Sequence, residues 1–319
     1  MRAKPLAWPG GNRYSIVSMW PAQYLNKPEY FFRPSQIIRR WLYRPSSDDE
    51  TVWLRLLWGA ELGIRPGDII GHILGRMGVY DLAVSEVLWR LVEAGESAVD
   101  AGANIGYMSS LLAHRVGREG AVWSFEPHPE IFRQLSASVA RWPTAPQIHL
   151  HQAGLSHSAG TASLVETDEF QVNRGSGQLD LAGNAADQNP HRFRRAISVP
   201  LVRLDEVLPP DIRLGVMKID VEGHELEVLR GATGLLGRRA IRDIVFEEHS
   251  AYPTPVTTFL EANGFAVHRI IKGFMGPRLQ LPRVAVAGPL WGPPNYLATL
   301  DSPRALARLA PGGWWVLKA

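Results

Sequence analysis

SAVDAGANIGYMSSLLAHRVGREGAVWSFEP, residues 97–127, sets two short apolar runs on either side of a helical pattern. "SAVDAG" reads as a buried strand and "AVWSFE" as a second one. Between them, "IGYMSSLLAHRVG" carries Ile105, Met108, Leu112 and Val116 on one helical stripe. Strand, helix, strand in so little chain is a parallel crossover, and the pattern continues downstream. "PEIFRQLSASVARW" repeats Ile131, Leu135, Val139 and Trp142 at helical spacing, and "QIHLHQA" is a third strand followed by an extra one, "GTASLVE". Beyond a polar, irregular stretch at about 167–195 come "AISVPLVRL", strand "GVMKIDV", helix "HELEVLRGATGLL", strand "DIVFEEH", helix "PVTTFLEAN", strand "FAVHRII" and a late "NYLATL". The expectation is a doubly wound α/β domain.

Upstream, "LAVSEVLWRLVEAG" predicts an amphipathic helix ended by Gly95. "GDIIGHIL" reads as a short strand or hairpin edge, and Glu50 to Gly59 as a helix. "PSQIIRRWLYRP" reads as another helix, capped by Ser35 and stopped by Pro45. The expected division is an N-terminal extension, 1–77, and a catalytic unit, 78–319.

Composition narrows the chemistry. The 319 residues, 45% hydrophobic and 20% charged, can fill a core, so wholesale disorder is excluded. Zero cysteines exclude a disulfide scaffold, a thiolate metal site and a cysteine nucleophile. No apolar run approaches the roughly 18–20 residues of a membrane span, and Pro5, Pro9, Gly10 and Gly11 break any signal-peptide core, so a cytoplasmic location is expected. Residues 1–44 hold eight basic residues against one acid, Glu29. With +3 overall, the rest of the chain carries −4. That leader also holds nine aromatics, and three readings suit it: an anionic membrane surface, nucleic acid, or a lid or dimerisation element packed on the core. The last is favoured, because nine aromatics exceed what a free surface segment exposes. Nucleic acid is not expected, since the remaining chain has no basic face.

Ligands of a doubly wound sheet bind beyond the carboxyl ends of its strands. The first such turn, "VDAGANIGY", carries Asp100, Gly102, Asn104 and Gly106. Its G-x-x-x-G spacing lacks the G-x-G-x-x-G of a pyrophosphate turn, and no P-loop is present. A turn opened by an acid suits an ammonium group, and Glu126 at the tip of the second strand suits the two hydroxyls of a ribose. Together they point to S-adenosylmethionine. The alternative is that the glycines only make a tight turn and Glu126 is a solvated strand end. Asp220, Glu222 and His224 follow a later strand, and Glu247, Glu248 and His249 the next. Acids and histidines gathered there suit removal of a proton from a substrate hydroxyl, with His224 and His249 the better bases near neutral pH. The alternative is a helix cap for Asp220 and solvated positions for its neighbours. A metal is not expected, as no compact ligand spacing such as H-E-x-x-H occurs.

The ordered set "GVYDLAVSEVL", "VDAGANIGY", "WSFEPHPEIFRQL", "VRLDEVL", "MKIDVEGHELEVLRGA" and "IVFEEH", from about Gly78 to Phe265, resembles the FkbM family of S-adenosylmethionine-dependent methyltransferases. The resemblance implies a class I methyltransferase fold with a mostly parallel seven-stranded sheet. It also implies methyl transfer to a hydroxyl of a sugar, glycan, lipid-linked or natural-product acceptor. Carried over by position, Tyr80, Asp100, Gly102, Ala103, Asn104 and Gly106 would line the methionine side of the cofactor. Glu126 would take the ribose, and Pro127 and Ala153 would lie near the adenine. Asp220, Glu222, His224, Glu248 and His249 form the expected catalytic set. "GVYD" departs from the family by carrying Asp81 where Glu is usual. N- or carboxyl-methylation, or a non-catalytic protein of this fold, are the alternatives, and a homodimer or a peripheral membrane contact through 1–44 would fit the leader.

Overall fold

The computed structural model describes residues 27–44, 50–142, 147–167, 170, 177–180, 193–283 and 294–319. Expectations that fall on 1–26, on Pro45 and on most of 167–195 lie outside these residues. In chain order the elements are helices α1 (Pro28–Phe32) and α2 (Ser35–Leu42), strands β1 (Val52–Arg55) and β2 (Glu61–Ile64), and helices α3 (Ile69–Met77) and α4 (Leu82–Leu91). The central alternation is β3 (Ser97–Ala101), α5 (Tyr107–Val116), β4 (Ala121–Phe125), α6 (Pro129–Val139) and β5 (Ile148–His151). A side sheet follows, from β6 (Gly154–Leu155), β7 (Gly160–Thr167), β8 (Gln178–Asp180) and β9 (Phe193–Val202). Then come α7 (Leu204–Val207), β10 (Leu214–Ile219), α8 (Glu225–Arg230), α9 (Thr233–Gly237), β11 (Ile241–Glu247) and α10 (Pro255–Ala262). The chain closes with β12 (Ala266–Lys272), β13 (Pro277–Gln280), β14 (Asn295–Thr299), α11 (Ser302–Leu309) and a 3-10 turn, Val316–Lys318.

The main sheet has the order β13-β12-β14-β11-β10-β3-β4-β5. The five strands from β11 to β5 run parallel, and β14 lies antiparallel between β11 and β12. This is the expected doubly wound sheet, with β13 adding an eighth strand at the edge. Both faces are buried, as parallel strands require. Consecutive residues alternate between two cores. Ala98, Val122, Val216 and Leu297 join the core with Leu88, Leu111 and Trp314, while Val99, Trp123, Met217 and Ala298 join the core with Leu229, Leu235 and Leu260.

Five local expectations are corrected. Residues 50–59 belong to a hairpin, with Val52 paired to Ile64 and Arg55 to Glu61. Alternate exposure of "VWLR" is a strand pattern, and Gly59 supplies the positive φ of +89° that turns the chain. "GDIIGHIL" is helical because Ile70 and Leu74, four apart, share the buried face and Gly78 takes the left-handed cap at φ +70°. Ser35 is the first helical residue after Pro34, with no side-chain cap. "HELEVLRGATGLL" is two short helices, broken at Gly231, where a Cβ would stand 2.1 Å from the Ser156 carbonyl. α4 also stops at Leu91, short of Gly95.

The residues ahead of Gly78 share the first core: Trp58, Leu62 and Ile64 are buried with Leu88 and Leu111. The C-terminus is pinned to α4. Buried Arg90 holds Glu86 at 2.6 Å and donates to the carbonyls of Pro311 and Gly313, while Glu86 accepts the N–H groups of Trp315 and Val316. Among the described leader residues the aromatics divide. Phe32 packs on the core and the Tyr43 ring fills the space beside Gly75, but Phe31 and Trp41 stand exposed.

Candidate active site

The carboxyl ends of β3, β4, β10 and β11 meet at one edge, and the polar residues collect there. Three of the four non-glycine residues with positive φ among the described residues belong to that edge: Asp81 (+33°), Asn104 (+48°) and Glu222 (+54°). Such conformations persist only where surrounding structure imposes them, and they gather at working sites.

A row of charge crosses the sheet under the first turn. Lys218 lies beside Asp100 in the β10–β3 register, and Asp220, two residues on, faces the same side. The Lys218 ammonium stands 3.2 Å from Asp220 Oδ2 and 3.7 Å from Asp100 Oδ1, and it donates to the Gly102 carbonyl at 3.4 Å. Ser109 Oγ donates to Asp100 Oδ2 at 2.6 Å. Burial alone would lower the Lys218 pKa, yet Asp220 and Asp100 hold it above its ordinary value, so it is a fixed cation.

The turn itself is closed. The N–H groups of Gly102 and Ala103 both donate to the Phe125 carbonyl, that of Asn104 to Glu126 Oε2 at 3.0 Å, that of Ile105 to Asn104 Oδ1, and that of Gly106 to the Ala103 carbonyl. From residue 102 to 106 every N–H is consumed, so this loop is no phosphate cradle. Its glycines serve close packing. A Cβ on Gly102 would lie 1.9 Å from the Asp220 carbonyl, and one on Gly106 2.7 Å from Leu135. Glu126 is buried at the tip of β4. Each of its oxygens accepts one backbone N–H, from Asn104 or His128, which leaves acceptor capacity for hydroxyls. Pro127 is half-buried and neighbours the buried Ala153–Gly154 turn, a wall beside that carboxylate.

On the other side, the carboxylates of Asp220, Asp81, Glu247 and Glu222 converge around Tyr80, whose hydroxyl is held well above the ordinary range by burial first and then by those charges. Glu247 shares a hydrogen bond with Asp220. Asp81 caps α4 through the Val84 N–H and accepts from Asn295 at the start of β14. Burial and then Asp220 push Glu222 up to about 7, and burial and the same neighbours push Glu247 up to about 9. Glu126 is raised to about 7, by burial first.

The proposed catalytic set is thus only partly gathered. Asp220 and Glu222 are together. His224 is buried away from them, its Nε2 3.1 Å from Ser156 Oγ, and the charges acting on it are those of Glu227 and His157. Its pKa is lowered by that burial. Glu248 is half-exposed and accepts the Ser250 N–H, and His249 is exposed. Consecutive positions on a strand face opposite ways, so Glu247 enters the cluster and Glu248 leaves it. Lys218 is the residue that the sequence reading missed, and the K-x-D alternation of "MKIDV" is its visible signal. Glu247, named beside Glu248 and His249 in "IVFEEH", belongs in the cluster although the expected catalytic set omits it.

These shifts have a thermal consequence. Acids with raised folded pKa values keep protons that the unfolded chain releases near 4.5, so their contribution to stability is present at low pH and is lost as pH rises through the folded values. The melting temperature of the ligand-free chain is expected to fall between about pH 5 and about 9 at fixed ionic strength, and Glu247→Gln is expected to flatten the upper part of the slope. Differential scanning fluorimetry across pH checks this; an unchanged slope in the variant would count against the buried carboxylate.

Residues 100–267 match the Methyltransferase FkbM domain model, more than half the chain. The chain belongs to the FkbM methyltransferase domain family. A hexuronic acid methyltransferase, AglP, of Haloferax volcanii is 30% identical over 65% of this chain and 84% of its own length. The methyltransferase sdnD of Sordaria araneosa is 32% identical over 54% of this chain and 74% of its own length. A solved FkbM methyltransferase from Methylobacillus flagellatus KT is 15% identical, covering 69% of this chain and 55% of that one, with a TM-score of 0.40. In this FkbM chain the matched span takes in the closed turn, Glu126, the Lys218 row and Glu247, and it leaves Tyr80, Asp81 and Asn295 outside.

Proposed function

We propose that the protein is an S-adenosylmethionine-dependent O-methyltransferase acting on a hydroxyl of a saccharide or similar polyol. The observation that carries the reading is the pairing of a turn whose N–H groups are all consumed with a rim of carboxylates. Such a site favours a cationic, hydroxyl-bearing cofactor over a pyrophosphate. The residues present fit it. Glu126 would accept the ribose hydroxyls, Pro127 and Ala153 would flank the adenine, and the acidic rim would face the amino acid end. When bound, the cofactor supplies an electrophilic methyl group on a sulfonium.

The chain's own part is to orient the acceptor and receive its proton. Asp220, held in place by Lys218, and Glu222, raised towards neutrality, are the groups placed to accept a hydroxyl proton. Holding the nucleophile in line contributes more than the base does. The match to a hexuronic acid methyltransferase supports a sugar as the acceptor class. The chemistry is placed within residues 78–319, with 1–77 as an extension.

Titration calorimetry tests the cofactor. S-adenosylmethionine is expected to bind and NAD is not. Glu126→Ala is expected to weaken binding by about ten- to a hundredfold, the loss of hydrogen bonds to a charged acceptor. Equal affinity in the variant would remove Glu126 from the cofactor site.

A further inference from the structure

α2 is packed the wrong way round for a helix that merely covers a core. Gln36 is 1% exposed, and Arg39 donates to the carbonyls of Leu74 and Gly75 at the end of α3. The apolar residues face out: Ile37 56%, Ile38 61%, Trp41 73% and Leu42 62% exposed. The patch does not end with the helix. Phe31, also exposed, meets Phe274 at 5.2 Å between ring centroids, and exposed Met275 follows in the β12–β13 turn. Monomeric surfaces rarely gather apolar side chains in this way without a partner.

The charges around the patch say which partner. Lys27, Arg40 and Arg44 are exposed beside it, and the acid nearest in sequence, Glu29, is buried and paired with Lys272. A second copy docked on this face would bring arginine against arginine, and the one acid of residues 27–44, Glu29, is buried and already paired. An anionic lipid surface offers both what the cations and what the apolar face need. Trp41 and Phe31 are side chains suited to the headgroup boundary, with exposed Arg40 on α2 and exposed Arg44 two residues past its end beside them. We propose that α1, α2 and the Phe274–Met275 turn form an interfacial surface that binds the chain to anionic bilayers. This stands apart from the methyl-transfer reading; among the described leader aromatics Phe32 and Tyr43 pack inward, and Phe31 and Trp41 do not.

Co-sedimentation of the full chain tests it, with vesicles of phosphatidylcholine alone and of phosphatidylcholine mixed with phosphatidylglycerol. Binding is expected to the mixed vesicles, weakening with salt, and not to the neutral ones. A variant with Ile37→Ser, Trp41→Ser and Leu42→Ser, all exposed positions, is expected to lose about tenfold or more in partitioning while its melting temperature and S-adenosylmethionine affinity hold. Arg40→Gln with Arg44→Gln is expected to lose the preference for anionic lipid. A chain that stays in the supernatant, or a serine variant that partitions like the parent, overturns the proposal. So does sedimentation velocity showing a dimer that the serine variant abolishes, which would make a second copy the occupant.

Discussion

Lys218→Met is expected to destabilise the protein by about 3–5 kcal/mol, the cost of leaving buried carboxylates without their cation. In a chain of this size that is a fall of roughly 10 °C in melting temperature. Asp100 is fully buried, and its Oδ1 has no hydrogen-bond partner beyond the Lys218 ammonium 3.7 Å away. Removing the ammonium leaves that oxygen with burial and no compensation, and it frees Asp220 from the group that fixes it. Methionine keeps the side-chain volume, so the effect reads charge and not a cavity. The double variant Lys218→Met, Asp100→Asn is expected to regain part of the loss, because the uncompensated charge goes with the cation; a simple sum of the two single effects would show that the residues are uncoupled. A single variant that melts with the parent would remove the charge row from the account of this site.

Asp220→Asn is expected to lower kcat by about 10²–10⁴-fold, a larger effect than the one it has on S-adenosylmethionine affinity as a member of the acidic rim. The carboxylate is placed at the end of β10 between Lys218 and Glu247, and the asparagine keeps the shape while losing the capacity to take a proton. Glu247→Gln makes the contrast. Glu247, pushed up to about 9, is already protonated near neutral pH, so glutamine imitates the state it occupies, and turnover is expected to stay within about tenfold of the parent. His224→Ala is expected to have a smaller effect than Asp220→Asn, since its ring lies on Ser156 and away from the carboxylates. Single-turnover methyl transfer, followed with labelled cofactor, separates these outcomes. An Asp220→Asn variant with parental kcat would return the base to Glu222 or His224.

The sequence by itself determined the alternation of strands and helices, and with it the sheet edge at which a ligand would bind. Apolar periodicity is a local property, and "SAVDAG", "AVWSFE" and "GVMKIDV" carry it within a few residues. The same local reading located Glu126 and Asp220 at strand tips. It failed where two periods compete over a short run. "GDIIGHIL" satisfies either a strand or a helix until Gly78 and the packing of Ile70 and Leu74 choose. The hairpin at 52–64 needed a partner strand before its alternation meant anything.

What only the tertiary structure decided is which polar side chains meet. Lys218 became part of the site because β10 pairs with β3 across more than a hundred residues of chain, in a register that sets it beside Asp100. Glu247 and Glu248 are equivalent in sequence, and the strand pleat sends one into the cluster and the other out. His224 was the better base on paper, since a free imidazole titrates near neutrality, yet the turn after β10 aims it at Ser156. The orientation of α2 is the same kind of fact: "PSQIIRRWLYRP" reads as a helix, and only its docking through Gln36 and Arg39 shows that the apolar side is the one left facing outward. A residue's chemistry is written in its own side chain, but its partners depend on contacts between distant parts of the chain, and those exist only once the sheet has closed.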